Sequence, residues 1–235
     1  RDRGIQIIGD MPIYVGYDSS DVYANQDLFE LDKSGKMIYQ GGCPPCEYQD
    51  EGQLWGNPLY NWEKHEETNF DWWRKRFKKL FDMVDIIRLD HFIGYLRYYK
   101  IPIQDKTAHN GEWIQAPGNQ LFDVLKSTFQ DFNVIAEDLG DVTDDVIHFR
   151  DKYNFPGMSV LQFEMKDITE ESTFPKNSVV CTGTHDNETL LGWLNLLPDN
   201  SINKEVLTKF KLLELFNCSD KEIHWEIINY AFKTL

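Results

Sequence analysis

The stretch DIIRLD, residues Asp85 to Asp90, decides the fold class of this chain. Its core is apolar on successive positions, as expected of a strand that is buried on both faces of a parallel sheet. Four more stretches share this pattern and are bounded by polar or turn residues. They are Ile5–Asp10, Asn133–Asp138, Met158–Glu164 and Ser178–Asp186. We therefore predict five strands.

Helical patterns lie between these strands. Phe70–Met83 and Gln120–Phe132 each place apolar residues on one face and polar residues on the other. Thr143–Tyr153 begins with a suitable N-cap residue and two acids in its first turn. Ser219 and Glu222 have the spacing of a capping box ahead of a final helix. Because strand and helix alternate, we predict an α/β fold with a parallel sheet.

The stretch from Tyr17 to Trp62 is rich in Gly, Asn, Asp and aromatic residues. We predict an elaborated loop after the first strand, because long loops of this composition often carry function. Within it, GGCPPCEYQDEGQLWGN runs from Gly41 to Asn57. Several of its side chains are suited to lining a sugar site, namely Glu47, Tyr48, Gln53, Trp55 and Asn57.

Cys43 and Cys46 are separated by two prolines, a spacing that is compatible with a redox switch or with half of a metal site. A zinc site usually needs four ligands, and the sequence has no second cluster of that kind. A thioredoxin-like pair follows a strand, and no clear strand precedes this one. We favour structural thiols; a labile disulfide and a metal site are the alternatives.

The charge of the chain restricts its partners. It has 24 basic and 39 acidic residues, a net charge of −15. Nucleic acid is not an expected partner, because phosphate binding requires a basic face. An acidic surface also repels anionic membranes, and no apolar run approaches the ~20 residues that span a bilayer. A neutral polar ligand such as a glycan is compatible with this composition.

Acids stand at the ends of four of the five predicted strands. They are Asp10, Asp90, the pair Glu137 and Asp138, and Asp186. In a parallel α/β barrel the carboxyl ends of the strands converge on one face, where active sites lie. Gathering acids there costs desolvation and mutual repulsion. The alternative is that each acid caps a helix or pairs with Arg88 and the histidines.

Such a cluster supports glycosyl transfer, in which one carboxylate attacks the anomeric carbon and a neutral carboxylic acid protonates the leaving oxygen. A divalent metal site is the competing interpretation, with five candidate ligands: Asp90, His91, Glu137, His185 and Asp186. Arg88 stands two residues before Asp90, on the same face of the strand. Its guanidinium would repel a cation and favour an ionised nucleophile, which argues for glycosyl transfer.

Six motifs occur together and in order. They are IGDMPIYV (8–15), GQLWGNPLYNW (52–62), IRLDHFIGYLRYYKIP (87–102), VIAEDLGDVT (134–143), FPGMSVLQF (155–163) and NSVVCTGTHDNET (177–189). The set resembles the 4-α-glucanotransferases, or amylomaltases, of glycoside hydrolase family 77 in the α-amylase clan. The resemblance implies a (β/α)8 TIM barrel and a retaining mechanism.

The resemblance also implies roles for individual residues. Asp90 matches the nucleophile, Glu137 the general acid/base, and Asp186 the acid that stabilises the transition state by binding sugar hydroxyls. The remaining candidates are expected to contact the substrate: Asp10, Tyr14, Tyr48, Gln53, Trp55, Arg88, His91 and His185. The expected substrates are α-1,4-glucans. No cofactor and no metal are expected, and the expected compartment is the cytoplasm, or the plastid in a plant.

The chain departs from the family pattern in two places. Where the family usually reads G-V-P-P-D-Y-F, Cys46 replaces an Asp and Glu47 replaces an aromatic residue. Ile93 stands where the family has an Arg. We expect weaker holding of the glucan from the first change, because a stacking surface is lost, with the catalytic acids unaffected.

The resemblance begins at what would be the third barrel strand, so we expect residues 1–235 to be a barrel fragment covering about strands 3 to 7, with 17–62 as a substrate-binding loop region. The leading interpretation is a glucan transferase. The alternatives are hydrolysis of the same intermediate, a glycan-binding module without activity, and a redox or metal protein built on Cys43 and Cys46.

Overall fold

The computed structural model describes residues 2–46, 49–140, 142–169, 172–198 and 207–233. The chain divides into two compact units, Arg1–Phe155 and Pro156–Leu235. The strands of the first unit are β1 (Ile8–Met11), β2 (Tyr39–Cys43), β3 (Gln53–Leu54), β4 (Ile86–Leu89), β5 (Arg97–Pro102), β6 (Glu112–Gln115) and β7 (Val134–Ala136). Its helices are α1 (Ser20–Ala24), α2 (Trp62–Glu67), α3 (Asp71–Phe81), α4 (Gly118–Thr128) and α5 (Asp144–Lys152).

A parallel sheet with the order β1-β4-β7 is the framework of the first unit. Asp10 pairs with Arg88 across β1 and β4, and Leu89 pairs with Ala136 across β4 and β7. Leu89 and Ala136 are fully buried, as the successive apolar residues predicted. The parallel pairing expected for these three strands is confirmed, although β1 begins at Ile8 rather than Ile5.

A second sheet of the first unit is antiparallel, with the order β3-β2-β5-β6. The loop predicted for the residues of β2 and β3 and the absence of a strand before Cys43 are both wrong. The reason is the composition of β2, because YQGGC contains two glycines, which weaken a strand signal. Gly42 is needed there, since a Cβ atom would lie 2.0 Å from the carbonyl oxygen of Gln53.

The core of the first unit is built from aromatic side chains that α3 contributes or covers. Trp73 is fully buried, as the predicted apolar face of this helix requires. Its ring lies 5.0 Å from that of Tyr60, 5.7 Å from that of Tyr95 and 5.8 Å from the stacked ring of Trp62. The helix therefore fixes the segment that contains Tyr60 against the sheet.

The second unit contains β8 (Gly157–Val160) and β9 (Ser178–Cys181), which pair in parallel. Its helices are α6 (Leu161–Glu164), α7 (Leu190–Leu196), α8 (Lys209–Phe216) and α9 (Ile223–Lys233). The Glu222 carboxylate accepts a hydrogen bond from the Ser219 N–H at 3.3 Å, one of the two contacts of the predicted capping box.

Two strand predictions in the second unit extended too far. Met158–Glu164 was predicted as one strand, but the chain turns into α6 after Val160. A short apolar run does not distinguish a strand from a buried helical turn, and the turn buries Leu161 and Met165 together at helical spacing. The strand predicted over Ser178–Asp186 ends at Cys181.

Within the described ranges, the helices fall short of the length and apolar character that crossing a membrane requires.

Replacing Trp73 by Ala is expected to lower the free energy of unfolding by about 3–5 kcal/mol, because the large cavity removes several ring contacts. Equilibrium urea unfolding of the intact protein measures this change. Tyr23→Ala is the control: Tyr23 is 84% exposed, so its removal should change stability by less than about 0.5 kcal/mol. Equal effects of the two substitutions would contradict the packing described for α3.

Candidate active site

Three acids meet at one edge of the parallel sheet. Asp10 lies in β1, Asp90 directly follows β4, and Glu137 directly follows β7. The strands are parallel, so their carboxyl ends lie at the same edge. The first three acidic strand ends that the sequence analysis identified are therefore brought together.

Arg88 lies at the centre of these acids and is only 8% exposed. Its Nη1 atom lies 2.5 Å from Asp10 Oδ1 and 3.3 Å from Asp90 Oδ1. Its Nη2 atom lies 2.5 Å from Glu137 Oε1. This contact is an ion pair and not a hydrogen bond, because the N–H group does not point at the oxygen. A single buried cation thus pairs with three acids, and removing it would leave them without this positive charge.

Glu137 is held by a backbone donor and lies in a partly apolar environment. The His91 N–H donates a hydrogen bond to Oε2 at 2.7 Å. Burial is the largest influence on the Glu137 carboxyl group and raises its pKa to about 7. The His91 N–H and Arg88 lower this pKa, whereas the nearby Asp90 raises it. A carboxyl group with this pKa can both give and take a proton near neutral pH.

Asp90 has different partners. Its Oδ2 atom accepts a hydrogen bond from the Ile13 N–H at 3.2 Å, and its Oδ1 atom faces Arg88. Both carboxylate oxygens therefore have a donor. A neighbouring pair of acids, one with a raised pKa and one held by donors, is the arrangement that retaining glycosyl transfer uses.

His91 adopts a backbone conformation that is uncommon for a residue with a side chain, with φ at 43° and ψ at 60°. This left-handed conformation occurs at the residue whose N–H reaches Glu137. Burial lowers the pKa of the His91 ring to about 4, although Asp90 opposes the shift, so the imidazole is neutral at neutral pH. The sequence predicted a role for the His91 ring but not this backbone contact, which no side-chain motif reveals.

An aromatic wall borders the acids. The Trp55 ring meets the His91 ring edge-on, with centroids 4.9 Å apart. The Trp55 indole N–H donates to Gln53 Oε1 at 2.7 Å, and Tyr14 lies 6.1 Å from the Trp55 ring. Trp55, Gln53, Tyr14 and His91 are thus brought together, while Tyr48 and Glu47 lie outside the described residues.

Asp186 and His185 lie in the second unit, in the turn region after β9. Their side chains are 64% and 63% exposed, and His185 Nε2 lies 3.4 Å from Asp186 Oδ2. The convergence of these two residues with Asp90 and Glu137 stays a prediction.

Cys43 ends β2, and both Cys43 and Cys46 are free thiols. Burial, with a further contribution from Cys46, raises the pKa of the Cys43 thiol to about 11. A thiol with this pKa is protonated at neutral pH and therefore a weak nucleophile and metal ligand. Across the described part of the chain, no group of three His, Cys, Asp or Glu side chains is arranged to hold a metal ion. These observations favour the structural interpretation of the pair.

Comparisons with known proteins agree with the geometry. The family model described as 4-alpha-glucanotransferase, of glycoside hydrolase family 77, matches residues 1–235. A 4-alpha-glucanotransferase of Streptococcus pneumoniae serotype 4 is 48% identical over 197 residues, which are 82% of this chain and 39% of the relative. The chloroplastic/amyloplastic 4-alpha-glucanotransferase of Solanum tuberosum is 41% identical, over 100% of this chain and 40% of the relative.

A solved structure is also similar. The amylomaltase of Streptococcus agalactiae in complex with acarbose superimposes with a TM-score of 0.84 at 38% identity, covering 94% of this chain and 44% of that one. The chain therefore spans less than half the length of these relatives. On the match of the family model to residues 1–235, this chain belongs to the 4-alpha-glucanotransferases of glycoside hydrolase family 77.

Proposed function

We propose that this chain carries the catalytic centre of a retaining transferase, which moves a segment of an α-1,4-glucan from a donor to an acceptor glucan. The observation that carries the proposal is the cluster around Arg88. That buried guanidinium lies within 3.3 Å of Asp10, Asp90 and Glu137 at one edge of a parallel sheet. Membership of the family supports the same activity.

The two acids divide the reaction between them. A carboxylate oxygen of Asp90 attacks the anomeric carbon as protonated Glu137 gives its proton to the leaving glycosidic oxygen. The products of this step are a glycosyl-enzyme ester and a free glucan end. Glu137, now ionised, takes the proton from an acceptor hydroxyl, which displaces Asp90 and restores the starting protonation states. The pKa of Glu137, raised to about 7, suits both proton transfers.

The remaining candidates are proposed to hold the sugar. Asp186 and His185 bind hydroxyls of the sugar at the cleavage point, as do Asp10, Arg88 and His91. Gln53 and Trp55 contact the glucan by hydrogen bonds and by stacking, together with Tyr48 and with Tyr14, which is only 8% exposed. The exposed Gln53 amide next to the Trp55 ring supports this assignment, because sugars present both hydroxyl groups and apolar ring faces.

We further propose that β1, β4, β7, β8 and β9 are consecutive strands of a (β/α)8 barrel. Residues 1–235 then form one catalytic barrel portion, about strands 3 to 7, with 17–62 as its substrate-binding region. The parallel pairing within each unit and the amylomaltase likeness support this architecture. Acarbose, which that relative binds, is a suitable test ligand. A cytoplasmic or plastid compartment and the lack of nucleic-acid and membrane partners stay predictions.

Two substitutions separate the proposed roles. In the intact protein, Asp90→Asn should abolish the glycosyl-enzyme intermediate, because the amide is a poor nucleophile. Glu137→Gln should lower transfer from maltooligosaccharides by about 10²–10⁴-fold, because the leaving oxygen receives no proton. The same variant should form the intermediate readily from a glycosyl fluoride, whose leaving group needs no proton. Mass spectrometry of the trapped protein measures the intermediate; equal loss on both substrates would show that the roles are misassigned.

The pH dependence follows from the environment of Glu137. Its pKa of about 7 means that the acid loses its proton as the pH rises through neutrality. The pre-steady-state rate of bond cleavage on a maltooligosaccharide should therefore fall above about pH 7, by roughly tenfold for each pH unit well above it. The corresponding step with a glycosyl fluoride should not show this decline. A rate that stays constant to pH 9 on both substrates would contradict the assignment of Glu137.

The thiols should matter little. Replacing Cys43 and Cys46 together by Ser should leave turnover within a few-fold, and a reductant or a chelator should change it by no more. Restoring an aromatic residue at Glu47 should instead tighten glucan binding by about 0.5–1.5 kcal/mol through stacking. A transfer assay on maltooligosaccharides measures turnover in the double Ser variant, and calorimetric titration with acarbose measures binding in the Glu47 variant. An inactive double Ser variant beside an unaltered Glu47→Tyr variant would revive the redox or metal interpretation.

A further inference from the structure

We propose that residues 12–15, which leave β1, form a backbone clamp on the nucleophile Asp90, and that Tyr60 and Arg76 are positioning residues that hold this clamp. The inference rests on the proposed function, because it assumes that Asp90 attacks the sugar. It links two motifs, because IGDMPIYV contains the clamp and GQLWGNPLYNW contains Tyr60.

The clamp and the last residue of β1 each contact Asp90. The Ile13 N–H donates to Asp90 Oδ2 at 3.2 Å, and the Asp90 N–H donates to the Met11 carbonyl at 3.1 Å. The side chain and the backbone of the nucleophile are thus both tied to the end of β1. Arg88 occupies the other carboxylate oxygen at 3.3 Å, so the orientation of the carboxylate depends on two donors from different strands.

Side chains from outside β1 hold the clamp by its carbonyl oxygens. The Tyr60 hydroxyl donates to the Ile13 carbonyl at 2.7 Å. Arg76 Nη2 donates to the Pro12 carbonyl at 2.7 Å, and Asn57 Nδ2 donates to the Val15 carbonyl at 2.9 Å. Three donors therefore satisfy three carbonyl groups of a segment that lies beyond the strand, where a backbone is otherwise free to shift.

Tyr60 is rigidly placed for this task. It is 1% exposed, and its ring stacks on that of Tyr14 with centroids 5.8 Å apart. Arg76 Nη1 lies 3.4 Å from its hydroxyl, and the Arg76 guanidinium covers the ring of Trp73 at 5.4 Å. Burial raises the pKa of the Tyr60 hydroxyl to about 12, so it stays a donor throughout the working pH range.

The chemical consequence is orientation. A carboxylate attacks efficiently only when one oxygen is held toward the anomeric carbon at near-contact distance. Loss of the Tyr60 hydroxyl frees the Ile13 carbonyl, and the Ile13 N–H then no longer has a fixed direction toward Asp90. Among the described residues, hydrogen bonds connect Tyr60 to Asp90 through this backbone, so loss of the hydroxyl should slow the attack and leave substrate binding largely unchanged.

The first test is Tyr60→Phe in the intact protein. A maltotriosyl fluoride is mixed with the enzyme, and rapid-quench mass spectrometry follows the covalent glycosyl-enzyme. The fluoride leaves without a proton from Glu137, so this rate reports the attack by Asp90. We expect Tyr60→Phe to slow it by about tenfold, with the substrate concentration for half-maximal rate changed less than about twofold.

Tyr95→Phe is the matched control, because it removes the same atom from another buried tyrosine of this core. Tyr95 is fully buried, its ring lies 5.7 Å from that of Trp73, and within the described residues its hydroxyl has no hydrogen-bond partner. It should form the intermediate at the wild-type rate.

A second pair of variants keeps the test decisive if Tyr60→Phe does not fold. Arg76→Met removes the donor to the Pro12 carbonyl from a half-buried position on α3 and should slow the same step by several-fold. Arg74→Met, on the same helix, removes a guanidinium that pairs with Asp71 and should have no effect.

The outcomes are distinguishable. Slow attack in Tyr60→Phe and Arg76→Met, beside normal attack in both controls, supports the clamp. Wild-type rates in all four variants, or a loss confined to substrate binding, would overturn it while leaving the proposed function intact. A wild-type protein that forms no glycosyl-enzyme would overturn the proposed function, and the clamp with it.

Discussion

The buried guanidinium of Arg88 is the interaction on which the rest of the site depends. Three acids at one sheet edge repel one another when ionised, and their partial burial increases that cost because water screens it less. Arg88 lies within 3.3 Å of all three and is 8% exposed. The positive charge of its guanidinium offsets part of this repulsion. One side chain can reach all three strand ends because β1, β4 and β7 are neighbouring parallel strands.

The two central carboxyl groups differ because their remaining partners differ. Glu137 receives one backbone donor and lies in a buried setting that raises its pKa to about 7. Asp90 is held by Arg88 on one oxygen and by the Ile13 N–H on the other. The local environment thus distinguishes the two proposed roles, proton exchange for Glu137 and nucleophilic attack for Asp90, and the segment after β1 contributes the Ile13 contact with Asp90.

The sequence predicted the parallel strands and the meeting of Asp10, Asp90 and Glu137, because buried strands read as apolar runs and their carboxyl ends share one edge. It did not predict the antiparallel sheet, since YQGGC forms a strand only through pairing with residues far along the chain. The strand predicted from Met158 also ran past Val160, where the structure has a helical turn. The contacts of His91 and Ile13 with the acids use backbone N–H groups, which every residue type except proline carries and no motif marks.

We propose that this site keeps the Glu137 carboxyl group partly protonated at neutral pH, beside the Asp90 carboxylate that Arg88 and Ile13 hold by hydrogen bonds. A carbon-13 NMR titration of the intact protein with labelled glutamate side chains, assigned by loss of one signal in Glu137→Gln, measures this directly. We expect the Glu137 carboxyl group to titrate with a pKa of about 7. Titration near 4.5, the ordinary value for a glutamate, would contradict it.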